Sequence, residues 1–250
     1  MKLQHLFLLC SVIALISVGQ VFSETLSLDE VLEDIRFKIE KVSSYKADIE
    51  MVFKNSETES TIRGDINYIK PDKLKVVMGV EGREDTRQSI CSDGEEMWQY
   101  MPLFRIASKV SLTALKEEFK NTEELVNNQS NMQDVTSNMV EPKFLGIEDL
   151  GGERVYLIEG LIKEGDDPAL DGIGKVESAK AFISSENGMQ RRMEYYDING
   201  DLIFYQEFNN IEINIDIPDE TFKFIIPEGV NILDTTPQAR EMLKKSQLNE

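Results

Sequence analysis

Residues 45–78 read YKADIEMVFKNSETESTIRGDINYIKPDKLKVVM, and the spacing of their apolar side chains decides the fold. Ala47, Ile49, Met51 and Phe53 alternate with charged or polar positions, and Ile62, Ile66 and Tyr68 carry the alternation into the next segment. A period of two belongs to a strand with one face buried and the other wet. Pro71-Asp72 turns the chain before Leu74, Val76 and Met78, so these segments predict antiparallel strands joined by tight turns.

On the N-terminal side of this stretch the period changes. Ser27 followed by Glu30 has the spacing of a capping box, and Leu28, Val31, Leu32, Ile35, Ile39 and Val42 recur at helical intervals. A helix ending near Ser43-Ser44 is expected. On the C-terminal side, Asp93-Gly94 predicts a hairpin between Gln88–Ile90 and Met97–Tyr100. Four or five strands thus follow one helix. From about Ala107 to Asn138 the rhythm breaks: Ser111 caps an expected helix through Phe119, and the tract Asn127-Asn128-Gln129-Ser130-Asn131 predicts a loop.

Strand patterns return at Phe144–Ile147 and Val155–Glu159, and again from Val176 to Ile183 after an acidic loop, Glu164 to Gly174. Hairpins turning at Asn187-Gly188 and Asn199-Gly200 follow, with Met193, Tyr195, Leu202, Phe204 and Phe208 in alternation. Phe222 to Ile225 is the last expected core segment. After Thr235 the chain is charged and expected to be peripheral, with a short helix around Ala239 to Lys245.

The first residues predict export. Lys2 supplies a positive start, Leu6 to Val18 form an apolar run, and Val21-Phe22-Ser23 offers a cleavage site before Glu24. The run is shorter than the roughly 20 residues needed to span a bilayer. Cys10 lies within it, but Leu9 stands where a lipid-attachment signal carries a small residue. The expected layout is a signal peptide over 1–23, one domain over 24–235, and a charged tail or short helix over 236–250.

The formal charge is −19, and loss of Lys2 with the leader takes it to −20. Such a surface repels nucleic acid and anionic membranes. Of the two cysteines, only Cys91 would remain, and of histidines none, since His5 lies in the leader. An internal disulfide, Ser-His or Cys-His catalysis and histidine-ligated metals are thereby excluded from the mature chain. Carboxylates are the one plentiful catalytic type. Asp166, Asp167 and Asp171 sit in a glycine-containing loop, but their spacing fails the calcium-loop pattern, and Gly172-Ile173-Gly174 lacks the rest of a dinucleotide fingerprint. No cofactor or metal is expected.

The apolar stripe remains. Ile49, Met51, Phe53, Ile66, Tyr68, Leu74, Val76, Met78, Trp98 and Tyr100 fall where alternation aims most of them to one side. Such a stripe fills an ordinary sandwich core or lines the lumen of a wide, curled sheet, and periodicity alone leaves both open. Methionines suit a lumen, because flexible thioethers adapt to varied shapes.

Three stretches carry a resemblance to a known family: IEKVSSYKADIEMVF (39–53); GDINYIKPDKL (64–74) with SDGEEMWQYMP (92–102); and DINGDLIFYQEF (197–208) through DETFKFIIPEG (219–229). Together they resemble the LolA-like periplasmic outer-membrane lipoprotein carriers and their lipoprotein-sorting relatives. The resemblance implies a mainly β fold with a few helices: a strongly curved antiparallel sheet forming an incomplete, half-open barrel with a helical lid. It also implies a hydrophobic cavity for acyl chains of lipoproteins or other lipids, lined by Ile49, Met51, Phe53, Ile66, Tyr68, Val76, Met78, Trp98 and Tyr100. By position, the lid is expected from Leu103 to Phe119, with the following loop as a further candidate, and with Leu103, Phe104, Lys70 and Leu74 as lid or partner contacts. Where the family carries an arginine before the proline this chain has Lys70, and where it carries an aromatic, Leu74; both changes bear on transfer from an inner-membrane donor transporter to an outer-membrane acceptor. A second expectation, from a different class, is a domain of the same fold that senses lipoproteins or lipids and reports to a membrane signalling partner. Neither is an enzyme.

Overall fold

The computed structural model describes residues 26–54, 58–120, 122–127, 135–162 and 175–247. The expected leader and cleavage site over 1–24, most of the asparagine-rich tract and the acidic loop with Asp166, Asp167 and Asp171 lie outside the described residues.

Helix α1 (Leu28–Glu40) opens the chain as the capping box predicts: the Glu30 N–H donates to Ser27 Oγ at 3.3 Å, and the Ser27 N–H donates to Glu30 Oε2 at 2.8 Å. The strands are β1 (Ser44–Lys54), β2 (Glu59–Ile69), β3 (Lys73–Val80), β4 (Gln88–Asp93), β5 (Glu96–Met101), β6 (Ile106–Ser111), β7 (Met139–Leu150), β8 (Glu153–Ile162), β9 (Ser178–Ser184), β10 (Gln190–Tyr196), β11 (Leu202–Ile213) and β12 (Asn231–Asp234). They form a single curved, unclosed sheet in the order β12-β6-β5-β4-β3-β2-β1-β11-β10-β9-β8-β7. Every neighbouring pair is antiparallel except β12 with β6, which is parallel. This is the expected incomplete barrel. Short helices α2 (Leu112–Lys116) and α3 (Glu124–Asn127) follow β6, and α4 (Thr236–Gln247) closes the described chain.

Three expectations change. The break at Ala107 is a sixth strand before it is a helix: Ala107 opposes Tyr100 and Val110 opposes Met97. Ser111 does cap the following helix, accepting the Ala114 N–H at 3.3 Å, but α2 stops at Lys116. Ladder pairing with β5 outweighs local propensity there. The segment Phe222 to Ile225 forms no strand; Phe222 ends a 3-10 turn and is buried, while Ile225 is 85% exposed. The charged end is not peripheral either, because Ala239 and Leu243, one turn apart on α4, are buried in the larger apolar cluster. Two apolar residues at that spacing suffice to seat a helix that is otherwise polar.

Candidate functional site

Directly opposed residues of a ladder share a face. Ile49 opposes Gly64 and Phe208, Met51 opposes Ile62 and Gln206, and Phe53 opposes Phe204. Ile66 opposes Ala47 and Val76, Tyr68 opposes Tyr45 and Leu74, and Met78 opposes Gly64. Eight of the expected residues, Ile49, Met51, Phe53, Ile66, Tyr68, Leu74, Val76 and Met78, therefore stand on one face. Gly64 lets the strands pass there: a Cβ would lie 1.9 Å from the Val77 carbonyl oxygen.

Following the register outward, Ile90 of β4 meets Val76, and Met97 and Val110 carry the face through β5 and β6. Across the seven adjacent strands β1–β6 and β11, this inner face holds no aspartate, glutamate, lysine or arginine. Its polar members are neutral: Ser60, Gln88, Ser92, Gln99, Ser108 and Gln206, with the tyrosines. In a chain that is 29% charged, the charges of these strands are pushed to the other face, where Arg63 meets Glu50 and Lys109 meets Glu96. Burial grades along the inner face. Ile49, Ile66, Tyr68, Leu74 and Val76 are sealed, whereas Met51, Phe53, Met78, Ile90 and Met97 are half-buried. Phe204 stacks between Phe53 (centroids 4.8 Å apart) and Tyr195 (5.3 Å).

Three helices cover the sealed part. Leu112 and Leu115 of α2, Phe119, Val126 of α3, and Ala239 and Leu243 of α4 belong to the same cluster as Ile49 and Ile66. Polar ties hold this cover. Lys116 Nζ donates to Asp72 Oδ2 at 2.6 Å and to the Gly94 carbonyl at 2.7 Å. The Tyr68 hydroxyl donates to Asn127 Oδ1 at 2.6 Å, and burial, with the negative charges of Asp72 and Glu123, pushes its pKa up to about 12. Arg240 Nε contacts both carboxylate oxygens of Glu118 at 3.0 Å, tying α4 to the segment after α2.

Trp98 and Tyr100 stand elsewhere. Cys91 opposes Trp98 and Ser89 opposes Tyr100, so both rings are on the outer face while Met97 and Gln99 point inward. The turn through Asp93 and Gly94 sets this parity, and a shift of one residue moves every side chain to the other face. There the two rings meet Phe224, with centroids 5.1 and 6.1 Å away, beside Cys91, whose Sγ donates to the Phe222 carbonyl at 2.8 Å. Burial pushes the Cys91 thiol up to about 11.

The expected contact residues also divide. Lys70 Nζ donates to the Ile39 carbonyl at 2.8 Å and to that of Glu40 at 3.4 Å. It thus serves the C-terminal carbonyls of α1, where a cation is favourable, and burial lowers its pKa. Leu74 is fully buried and offers a partner no surface. Leu103 and Phe104 lie in the 3-10 turn Pro102–Phe104, 56% and 67% exposed, in neither buried cluster. The cover begins later, at Leu112. Sequence reasoning did not place Ala239, Leu243 and Met97 at this site; the i, i+4 pair on α4 was the available signal.

The other half of the sheet is closed differently. Val31 and Ile35 of α1 pack with Tyr156, Ile158, Ala179, Ala181, Ile183 and Met193. The Tyr156 hydroxyl donates to Asp34 Oδ2 at 2.8 Å, which pins the helix to β8.

No family model matches the sequence. A curated relative, an uncharacterised protein of Methanocaldococcus jannaschii, is 24% identical over 87% of this chain and 58% of its own length, so the chain spans little more than half of it. An outer-membrane lipoprotein carrier protein of Francisella tularensis subsp. novicida is 22% identical over 88% of this chain and 95% of its own length. Among solved structures, an uncharacterised conserved protein of Thermus thermophilus superposes with a TM-score of 0.54 at 10% identity, covering 82% of this chain and 98% of that one. A LolA superfamily protein of Nitrosomonas europaea covers 80% of this chain and 99% of its own, with a TM-score of 0.37 and 14% identity.

Proposed function

We propose that this chain is an exported carrier that takes up acyl chains of lipoproteins or other lipids against the inner face of its half-open barrel. The observation that carries this reading is the absence of charge from that face over seven adjacent strands. An ordinary core needs only to be apolar where it is sealed. Here the uncharged surface continues past the helices into the half-buried Met51, Met78 and Met97, where a soluble protein has no need to keep water-accessible positions free of charge. Each methylene placed there contributes about 0.8 kcal/mol, and thioethers fit irregular chains. The carrier name of the Francisella relative agrees with this chemistry.

The roles follow position. Met51, Phe53 and Met78, with Phe204, receive the chain, and Ile49, Ile66, Tyr68 and Val76 form the floor beneath the helical cover. Trp98 and Tyr100 are not assigned to the ligand. Residues 1–23 direct export to the periplasm, and an inner-membrane donor and an outer-membrane acceptor are the partners such traffic requires. Uptake of cis-parinaric acid by the purified chain tests the reading: saturable fluorescence enhancement, competed by palmitate, is expected. A protein that shows no uptake while remaining folded overturns it. Stable co-purification of a signalling protein in place of lipid would favour the sensing alternative.

A further inference from the structure

The two edges of the sheet are built differently. On β7 the register shifts twice, between Val140 and Lys143 and between Phe144 and Gly146, and Glu141 and Gly146 have φ of +50° and +139°. Bulges of this kind spoil an edge as a template for further pairing. β12 is regular. Its residues match Ile106–Lys109 one for one with no shift, and all four are exposed, Ile232 and Leu233 by 49% each.

The hydrogen bonds of β12 say which groups are free. The Asn231 N–H donates to the Arg105 carbonyl at 2.9 Å and the Thr235 N–H to the Lys109 carbonyl at 2.8 Å. In a strand these positions share one side, so the odd-numbered residues face β6, and Ile232 and Asp234 turn their N–H and C=O groups away from it.

We propose that the outer edge of β12, which no other strand pairs among the described residues, receives an extended, basic segment of a partner protein as an added strand. The backbone groups of Ile232 and Asp234 supply the ladder bonds, alternate apolar residues of the segment meet Leu233, and its basic residues share the face of Asp234. Charge selects the occupant. A chain of net charge −19 repels a second copy of itself and attracts a lysine-rich segment. The Asp234 carboxylate stands at the edge itself. This inference rests on the edge alone and is independent of what the inner face carries.

The test uses the full chain without its leader and two peptides of about seven residues, one alternating lysine with valine and one alternating glutamate with valine. The basic peptide is expected to bind, to leave the acidic one at least tenfold weaker, and to slow amide exchange at Ile232 and Asp234. Ile232→Pro removes an outward N–H while sparing the bonds to β6, and proline is tolerated at such an edge; it is expected to weaken binding at least tenfold with the thermal midpoint nearly unchanged. Equal binding to the Ile232→Pro variant, equal binding of the acidic peptide, no binding, or Ile232 and Asp234 amides already protected in the free chain would each overturn the proposal. If Ile232→Pro does not fold, the exchange measurement on the unaltered chain decides.

Discussion

The two halves of the inner face are covered by different means. Over β7–β10 a single 13-residue helix, α1, lies on a sheet whose Ala179 and Ala181 are small enough to let it approach, and the interface is sealed by Val31, Ile35 and Ile158. Over β1–β6 the cover is three pieces, two of them only five and four residues long. These are held by buried Leu112, Leu115, Val126, Ala239 and Leu243 together with polar ties such as Lys116 to Asp72 and Arg240 to Glu118, and methionines beyond them are half-buried. Helices that short have little stability of their own. Both halves are therefore buried cores, but one is sealed by a single long helix and the other by three shorter pieces with half-buried methionines beyond them.

The sharpest way to break this comparison is to truncate both halves. Ile158→Ala, at a position with no exposure under α1, should cost about 2–5 kcal/mol in urea unfolding. Met78→Ala should cost about 1 kcal/mol or less, because its environment is already half open. Equal losses would mean that the two halves are one core.

A charge is the next test. Met78→Lys should leave the fold intact, since the long stem can carry its ammonium to water, yet lower the affinity for a fatty-acid probe about tenfold. An unchanged affinity would remove Met78 from the ligand surface.

Acid should loosen the α1 half in a way that one residue explains. Burial opposes ionisation of Asp34, but hydrogen bonds from Lys38 and Tyr156 outweigh it and hold its pKa below the ordinary 3.8. A depressed pKa contributes stability that is present above the ordinary value and lost as pH falls through the folded one. Asp34→Asn should therefore lower stability at neutral pH and flatten its decline below about pH 4, read from thermal midpoints across a pH series. If the acid slope is unchanged, Asp34 is not the tie.

The smallest effect belongs to Arg240→Ala. The pair with Glu118 is partly exposed, so stability should change by no more than about 1 kcal/mol and the difference should fade in salt. Release of a bound probe should quicken at low salt if α4 is part of the cover.

Much of the architecture was legible because side-chain period is a local property. The capping box at Ser27 and Glu30, the alternation from Ala47 to Phe53 and the Asp93-Gly94 turn each carry their meaning within a few residues. The candidate surface was legible over β1–β3 for the same reason. It failed at Trp98 and Tyr100, where a turn separates two strands and the parity of one relative to the other is decided by pairing. It failed at Leu74 in a different way: its side chain was placed on the correct face, but only the packing of the helical cover makes it inaccessible.

By itself, the sequence determined the helix-then-strands order and the alternation that separates charged from uncharged faces, both set by residue identity and short spacing. The tertiary structure alone decided which face Trp98 and Tyr100 occupy, that Ala239 and Leu243 return to cover a sheet built from residues far earlier in the chain, that Lys70 serves α1, and that β12 ends the sheet among the described residues. Each of these depends on contacts between segments distant in sequence. Such contacts are settled by burial and register over the whole sheet, which no local pattern encodes.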